Sequence, residues 1–281
     1  MYKIAILGSE NSHSWGFASL IAKKQYPEIE LCGIYGDEQG NNAILTQSGY
    51  DCFMKDYNDL VGKVDAVMVT ARHGANHLKY AKDYILSGVP VWIDKPITTD
   101  PKDVRELVKL CTENSVPVCG GSMLALVQDT LDMHAEFAKC KNIRGGAVSA
   151  PVNMVNPYGN FWFYSSHLVQ IMLSVFGYDV KSVSALRSEN GVSAVYRYSG
   201  FDVTAVYGAD YSVSVYSENN TVFRKISLDG GIEREMDEFL EMLHTGVQRQ
   251  TFEEFTKPVF VIDATKKSFE NDGKLTEIES L

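Results

Sequence analysis

The residues best suited to chemistry stand at the ends of short apolar runs. Val91-Trp92-Ile93 delivers Asp94-Lys95-Pro96, an acid and an amine followed by a ring that stiffens the chain. An amine partly withdrawn from water loses affinity for its proton and becomes suited to a proton relay. The first apolar run ends in Gly8-Ser9-Glu10-Asn11-Ser12-His13-Ser14-Trp15-Gly16, at the place of a GxGxxG dinucleotide turn but with only its first glycine kept. Gly8, Ser9 and Asn11 are candidate contacts for a dinucleotide, helix capping being the other reading of Asn11. Glu10 hinders backbone approach to a pyrophosphate and adds like-charge repulsion. His13 reads equally as an anion contact or as a residue facing solvent. After the second run, Gly36-Asp37-Glu38 sets Asp37 where an adenosine ribose would lie. A carboxylate there accepts from a 2′-OH and opposes a 2′-phosphate, which favours NAD over NADP; a solvated turn is the alternative. The third run leads into Thr70-Ala71-Arg72-His73-Gly74-Ala75-Asn76-His77. Thr70, Arg72, His73 and His77 are candidates there, with Arg72 a phosphate clamp. His73 and His77 have the spacing of a metal pair, but Gly74 and a helix start near Asn76 spoil their common face, so no metal site is expected.

These loops need a frame that gathers them. Through residue 120, β-branched runs (3–7, 29–35, 64–70, 91–93, 116–119) alternate with amphipathic stretches (15–24, 41–49, 76–87, 101–114). That alternation specifies a doubly wound parallel sheet, whose ligands sit beyond the carboxyl ends of the strands. Asp100-Pro101 gives the helix after residue 100 its cap and first turn. Past Gly120-Gly121 the texture changes. A helix is expected at 129–139, a strand after Arg144 and a helix ending at Phe176. An antiparallel meander follows over 180–228, then helices at 233–243 and 258–270. The expected division is a dinucleotide-binding domain, 1–120, and a substrate-binding and oligomerisation α+β domain, 121–281.

Composition narrows the class. The 281 residues exceed one ordinary core, and 45% hydrophobic with 22% charged residues is the balance of a globular chain. With 26 Lys and Arg against 36 Asp and Glu, the net charge of −10 repels a polyphosphate backbone, so nucleic acid is not an expected partner. Residues 1–8 read as a first strand, not a signal peptide or membrane span. Five cysteines without a CxxC pair fit a reducing cytoplasm. The sequon at Asn219 is then accidental.

Asp94-Lys95-Pro96, Val64-Asp65-Ala66-Val67, His77 at a helix start and Ser87-Gly88-Val89-Pro90 together resemble the glucose-fructose oxidoreductase / inositol dehydrogenase (Gfo/Idh/MocA) family, whose hallmark is Glu-Lys-Pro. The resemblance is close over about 60–118 and looser to the end, where Phe239, Pro258 and Ser268 sit at family-like places. It implies a Rossmann domain followed by an α+β domain with an open, mostly antiparallel sheet. The implied activity is oxidation or reduction of a sugar, cyclic polyol or related hydroxy compound with NAD or NADP. By the same resemblance Lys95 contacts the reacting hydroxyl and the nicotinamide ribose, Asp94 helps position the nicotinamide, and a cis peptide precedes Pro96. The family's second motif, an acid, three residues and a histidine, is met by Phe163-Tyr164-Ser165-Ser166-His167: the histidine matches and Phe163 replaces the acid. Gln170 replaces an aspartate that often follows. His167 remains a candidate base without its orienting carboxylate, with Tyr164 a substitute donor. The aromatic run 161–164 reads as core and interface or as a sugar-stacking surface. Tyrosines along the meander suggest a homo-oligomer, dimer or tetramer, through the second-domain sheet. The rival expectation is a catalytically inactive dinucleotide- or sugar-binding sensor, and a third is a first loop that serves another ligand altogether.

Overall fold

The computed structural model describes residues 1–281. It comprises two compact units, Met1–Gly120 with Ile232–Thr251 and Gly121–Gly231 with Phe252–Leu281. Residues 232–251, expected in the second domain, thus pack in the first unit.

In the first unit the strands are β1 (Tyr2–Leu7), β2 (Ile29–Tyr35), β3 (Ala66–Val69), β4 (Val91–Asp94) and β5 (Val118–Gly121). The connecting helices are α1 (Ser12–Ala22), α2 (Glu38–Ser48), α3 (His77–Leu86) and α4 (Pro101–Asn114). β3 and β4 are buried at every position, as strands covered on both faces must be. α4 starts where its local chemistry dictates: the Asp100 side chain accepts from the Lys102 N–H at 2.8 Å and Pro101 fills the first turn. The sheet order is β2-β1-β3-β4-β5, with parallel ladders from β1 to both β2 and β3, and from β3 to β4. Beside β2 lies a single parallel bridge, Ile34 to Phe53, closed by Ile34 N–H on Cys52 O (2.9 Å) and Met54 N–H on Ile34 O (2.7 Å). Counting that bridge, the order is that of a Rossmann sheet with its outer strand pared to one residue pair.

A further helix, Gly231–Thr245, completes this unit; it is α7 in chain order, after α5 and α6 below. Its Met236, Phe239 and Met242 join Ile4, Phe17 and Trp92 in one core. Spacing of three places them on one face, and each such side chain contributes about 1.5–3 kcal/mol on burial. Tyr26 donates to Asp237 at 2.9 Å and Tyr2 to the Leu243 carbonyl at 3.2 Å, tying the helix at both ends.

The second unit holds α5 (Gln128–Lys139), α6 (Trp162–Phe176), α8 (Phe252–Glu270) and seven strands: β6 (Ile143–Ala150), β7 (Ser182–Ser188), β8 (Gly191–Arg197), β9 (Asp202–Tyr207), β10 (Ser212–Ser217), β11 (Thr221–Lys225) and β12 (Thr276–Glu277). The order is β11-β10-β6-β9-β8-β7-β12, antiparallel throughout except β6 with β9. The continuous meander expected over 180–228 is therefore broken: β6 lies between β9 and β10. After β9 the Gly208 and Ala209 amides donate to Ala150 O at the end of β6, and the chain steps across that strand. Burial alternates along β9, so one face of the sheet is covered while the other carries the exposed Leu186, Val206, Tyr216 and Phe223.

Candidate active site

The turn after β1 is built around Gly8, whose φ of +123° suits glycine and whose added Cβ would lie 2.2 Å from Ala71 N. Thr70 locks the same approach, its hydroxyl donating to Gly8 O at 3.0 Å. Ser9 is buried and faces the protein: its hydroxyl donates to Asn41 Oδ1 at 2.7 Å. A Cβ at Gly36 would stand 2.1 Å from that hydroxyl oxygen. This is a physical reason for the acid after β2 to fall at position 37. Asp37 is exposed and caps α2, accepting from Gly40 N–H at 2.7 Å. Glu10 reaches across to the third loop, where its Oε1 accepts from the Arg72 backbone N–H at 3.0 Å. His73 caps the short turn Gly74–Asn76 by accepting from Ala75 N–H.

Asn11 and His13 turn inward. Asn11 Oδ1 caps α1 at the His13 N–H (3.2 Å), while its Nδ2 donates to Asp94 Oδ2 at 2.6 Å. His13 is buried, with Nδ1 3.1 Å from Asp94 Oδ1 and 3.8 Å from Glu235 Oε2. The solvent-facing reading of His13 does not describe that placement, and the anion it meets is the protein's own Asp94 carboxylate. The Lys95 N–H donates to Asp94 Oδ1 at 2.6 Å. Burial on its own would raise the Asp94 carboxyl, but the charges of His13 and Lys95, the His13 contact and His77 outweigh it and hold Asp94 well below the usual carboxylate range. His77 is fully buried, its Nδ1 2.8 Å from Pro96 O and its Nε2 2.7 Å from Ala71 O. Burial pushes its pKa down against the upward pull of those carbonyls and of Asp94. The ring thus stands between a carbonyl of the third loop and one of the fourth, and its single N–H in the neutral form donates to one of them. Lys95 is buried and its peptide to Pro96 is cis, as the family resemblance implies.

In the second unit His167 lies buried on α6, its Nδ1 2.7 Å from the Ser122 hydroxyl. Ser122 Oγ also accepts from Leu124 N–H at 3.2 Å, which fixes it at the start of the turn Met123–Ala125. If Nδ1 carries the ring hydrogen and donates to that hydroxyl, Nε2 is left as a proton acceptor. The Tyr164 and Tyr211 rings both sit 5.9 Å from the imidazole. Burial, with Tyr164 adding to it, pushes the Tyr211 hydroxyl up to about 12, so it remains a donor at neutral pH. Phe163 packs on Tyr158 and Tyr164. Phe161 packs on Tyr207 and Phe269, so the run 161–164 is core through Phe163 and half-buried only at Tyr164.

Three functional candidates lay outside the sequence reading: Ser122, Tyr211 and Glu235. Only Ser122 had a signal, because it follows β5 directly and the rule that draws attention to loops after strands applies to a fifth loop as well. Asn11, His13 and Asp94 come together, as do Gly8 and Thr70. Lys95 belongs to the first unit, and His167 and Tyr164 to the second.

Residues 2–121 match the family described as "Oxidoreductase family, NAD-binding Rossmann fold" (GFO_IDH_MocA). No curated protein matches the chain. Among solved structures, myo-inositol 2-dehydrogenase from Lactobacillus plantarum is similar at 15% identity and a TM-score of 0.83, covering 99% of each chain. Scyllo-inositol dehydrogenase from Lactobacillus casei with bound NAD(H) and scyllo-inositol is similar at 14% identity and 0.83, again over 99% of each chain. An oxidoreductase from Agrobacterium radiobacter in complex with NAD+, L-tartaric acid and magnesium gives 14% and 0.78, over 99% of this chain and 98% of that one. These likenesses show the fold. Over residues 2–121 the chain is similar to the Gfo/Idh/MocA oxidoreductase family, whose matched part is an NAD-binding Rossmann fold.

Proposed function

We propose that the chain is an NAD(P)-dependent oxidoreductase that transfers hydride between the cofactor and the CH–OH group of a sugar, cyclic polyol or related compound, with NAD favoured. The observation that carries this reading is the Asp94-Lys95-Pro96 segment at the carboxyl end of β4, where Asp94 is buried and accepts the Lys95 backbone N–H at 2.6 Å. The residues present suit a dinucleotide in most respects. The Gly8 turn has the close approach such a turn needs, and Asp37 stands exposed after β2 with one carboxylate oxygen capping α2. Glu10 is the departure, since its carboxylate stands at the second glycine's place and opposes phosphate. Gly8, Thr70 and Arg72 would hold the phosphate side and Asp37 the adenosine ribose. A bound nicotinamide supplies the hydride acceptor or donor.

The chain's own residues handle the proton. Loss of hydride from a C–OH requires loss of the hydroxyl proton. In the first unit Lys95 is the group this reading assigns to that hydroxyl; in the second, His167 is the candidate base, its Nδ1–H donating to Ser122 and its Nε2 presenting the acceptor. Tyr164 offers a second donor to substrate. The exposed apolar residues on the outer face of the second sheet support a homo-oligomer, dimer or tetramer. No helix is long and apolar enough to cross a membrane.

The test is a fluorescence titration with NADH and NADPH, followed by turnover assays with scyllo-inositol, myo-inositol and a carbohydrate panel. Lys95→Ala should abolish turnover and leave NADH affinity within about three-fold. Phe163 in place of the motif's acid favours the second reading, a sensor: saturable binding without turnover across the panel selects it. Flat titrations with both dinucleotides overturn both.

A further inference from the structure

The first loop does more than depart from a glycine pattern. At position 13, where the fingerprint carries no side chain, an imidazole descends beneath α1 toward β4, and Asn11 descends beside it. Their common target is Asp94, so that donors from the β1–α1 segment meet both oxygens of one carboxylate: Nδ2 of Asn11 at 2.6 Å from Oδ2 and Nδ1 of His13 at 3.1 Å from Oδ1. Glu235 brings α7 to the same point, 3.8 Å from His13 Nδ1. All four residues are at most 6% exposed. A buried carboxylate is tolerated only where donors meet it, and here two of the three donors come from the cap and first turn of α1, more than eighty residues away in sequence. His13 Nδ1 makes an ion-pair contact at 3.1 Å and forms no aligned hydrogen bond; a ring hydrogen on Nδ1 is the assignment that suits an oxygen able only to accept.

The third donor is the backbone N–H of Lys95. Asp94 is therefore the fixed point from which the Lys95 backbone is set, and Asn11 and His13 fix that point. We propose that His13, with Asn11, is a positioning residue for Lys95: it holds the carboxylate on which the Lys95 amide rests, and through it the direction in which the Lys95 side chain leaves the strand. The kinetic consequence rests on the proposed function, in which Lys95 meets substrate; the structural consequence does not.

Two substitutions separate donor from bulk. His13→Leu fills the space without a donor, and His13→Asn presents an amide N–H close to the place of Nδ1. A third, Asn11→Ser, keeps an oxygen to cap α1 and removes only the donor to Asp94. Amide hydrogen exchange of the full chain, resolved to residues 91–98, should quicken about ten-fold or more in His13→Leu and in Asn11→Ser, and return toward wild type in His13→Asn. With NAD and scyllo-inositol as the probe reaction, His13→Leu should lower kcat at least about ten-fold with the KM for NAD within about three-fold, His13→Asn recovering most of it. Unchanged exchange over 91–98 in both folded donor-loss variants overturns the proposal, as does equal loss of kcat in His13→Leu and His13→Asn. If the wild type shows no turnover with any polyol, the proposed function fails, while the exchange pattern still decides whether His13 and Asn11 position Lys95.

Discussion

Replacing Asp94 by asparagine is the sharpest perturbation of this site, because shape is kept and only the charge and one acceptor are lost. Three donors face the carboxylate, the Asn11 amide and the Lys95 N–H each at 2.6 Å and His13 Nδ1 at 3.1 Å. An amide at position 94 has one oxygen for them and must aim its NH2 at a donor on the other side. The milder arrangement keeps the oxygen for Lys95 and His13 and confronts Asn11 with an NH2. Asn11 can flip to answer it, but then loses the cap it gives the His13 N–H, worth about 1 kcal/mol. The bonds that remain fall from the charged class to the neutral one, a loss of about 1 kcal/mol each. Relief of the buried charge offsets part of this, leaving a net loss of about 2–4 kcal/mol. At about 2–4 °C per kcal/mol, the first unit should melt roughly 5–15 °C lower.

The pH dependence follows from the direction in which Asp94 is shifted. Its carboxyl is depressed in the folded state, so its contribution to stability is complete above the unfolded value near 4 and is lost as pH falls below that toward the folded value. The gap in Tm between wild type and Asp94→Asn, followed by circular dichroism from pH 7 to pH 3, should be constant down to about pH 5 and close in more acidic solution. A variant as stable as wild type at pH 7, or a gap that widens in acid, refutes the reasoning.

Ser122→Ala removes the partner of His167 Nδ1, found at 2.7 Å. One lost hydrogen bond in a buried setting should lower kcat about ten-fold in whichever reaction the turnover assays establish, with Ser122→Thr close to wild type; equal rates in Ser122→Ala and wild type would exclude the pairing from the mechanism. Glu10→Gln keeps an oxygen for the Arg72 N–H and removes the charge at the second glycine's place. NADH should then bind about three- to ten-fold tighter at low ionic strength, with a smaller gain at 0.5 M salt, since the effect is Coulombic. A fluorescence titration showing no gain at low salt would show that Glu10 does not oppose the phosphates.

Local chemistry was legible where it acts locally. The fully apolar β3 and the Val91–Ile93 run of β4 announce strands covered on both faces, and Asp100-Pro101 announces the start of α4, because periodicity and capping need no distant partner. Asn190 sits in the turn from β7 to β8 and Ser199-Gly200 in the turn from β8 to β9, residue types that favour turns without any distant partner. No such signal says that β6 will insert between β9 and β10, since that pairing is decided by strands more than fifty residues apart. The return of α7 to the first unit is silent in the same way: its apolar stripe asks for a core without naming which one. Phe53 pairs through a single bridge, too little pattern for a strand to be read.

The same limit explains how the site was read. At 10 and 13 the sequence shows two lost glycines, and at 94 an aspartate in place of the hallmark glutamate; taken singly, each looks like decay of a cofactor site. Once β1 and β4 are laid into one sheet, positions 13 and 94 become a single feature. A glutamate at 94 would carry its carboxylate about 1.5 Å further along the path now taken by the 3.1 Å contact with the imidazole. The shorter acid leaves room for a ring, and the ring supplies a donor to the shorter acid. Position 10 has no such partner among the strands: its carboxylate meets a backbone N–H in the neighbouring loop, which any residue could offer. Of these two departures, the histidine meets a partner on a neighbouring strand, and the glutamate meets only a backbone N–H of the next loop, so the charge of Glu10 is the departure whose effect the salt-dependent titration isolates.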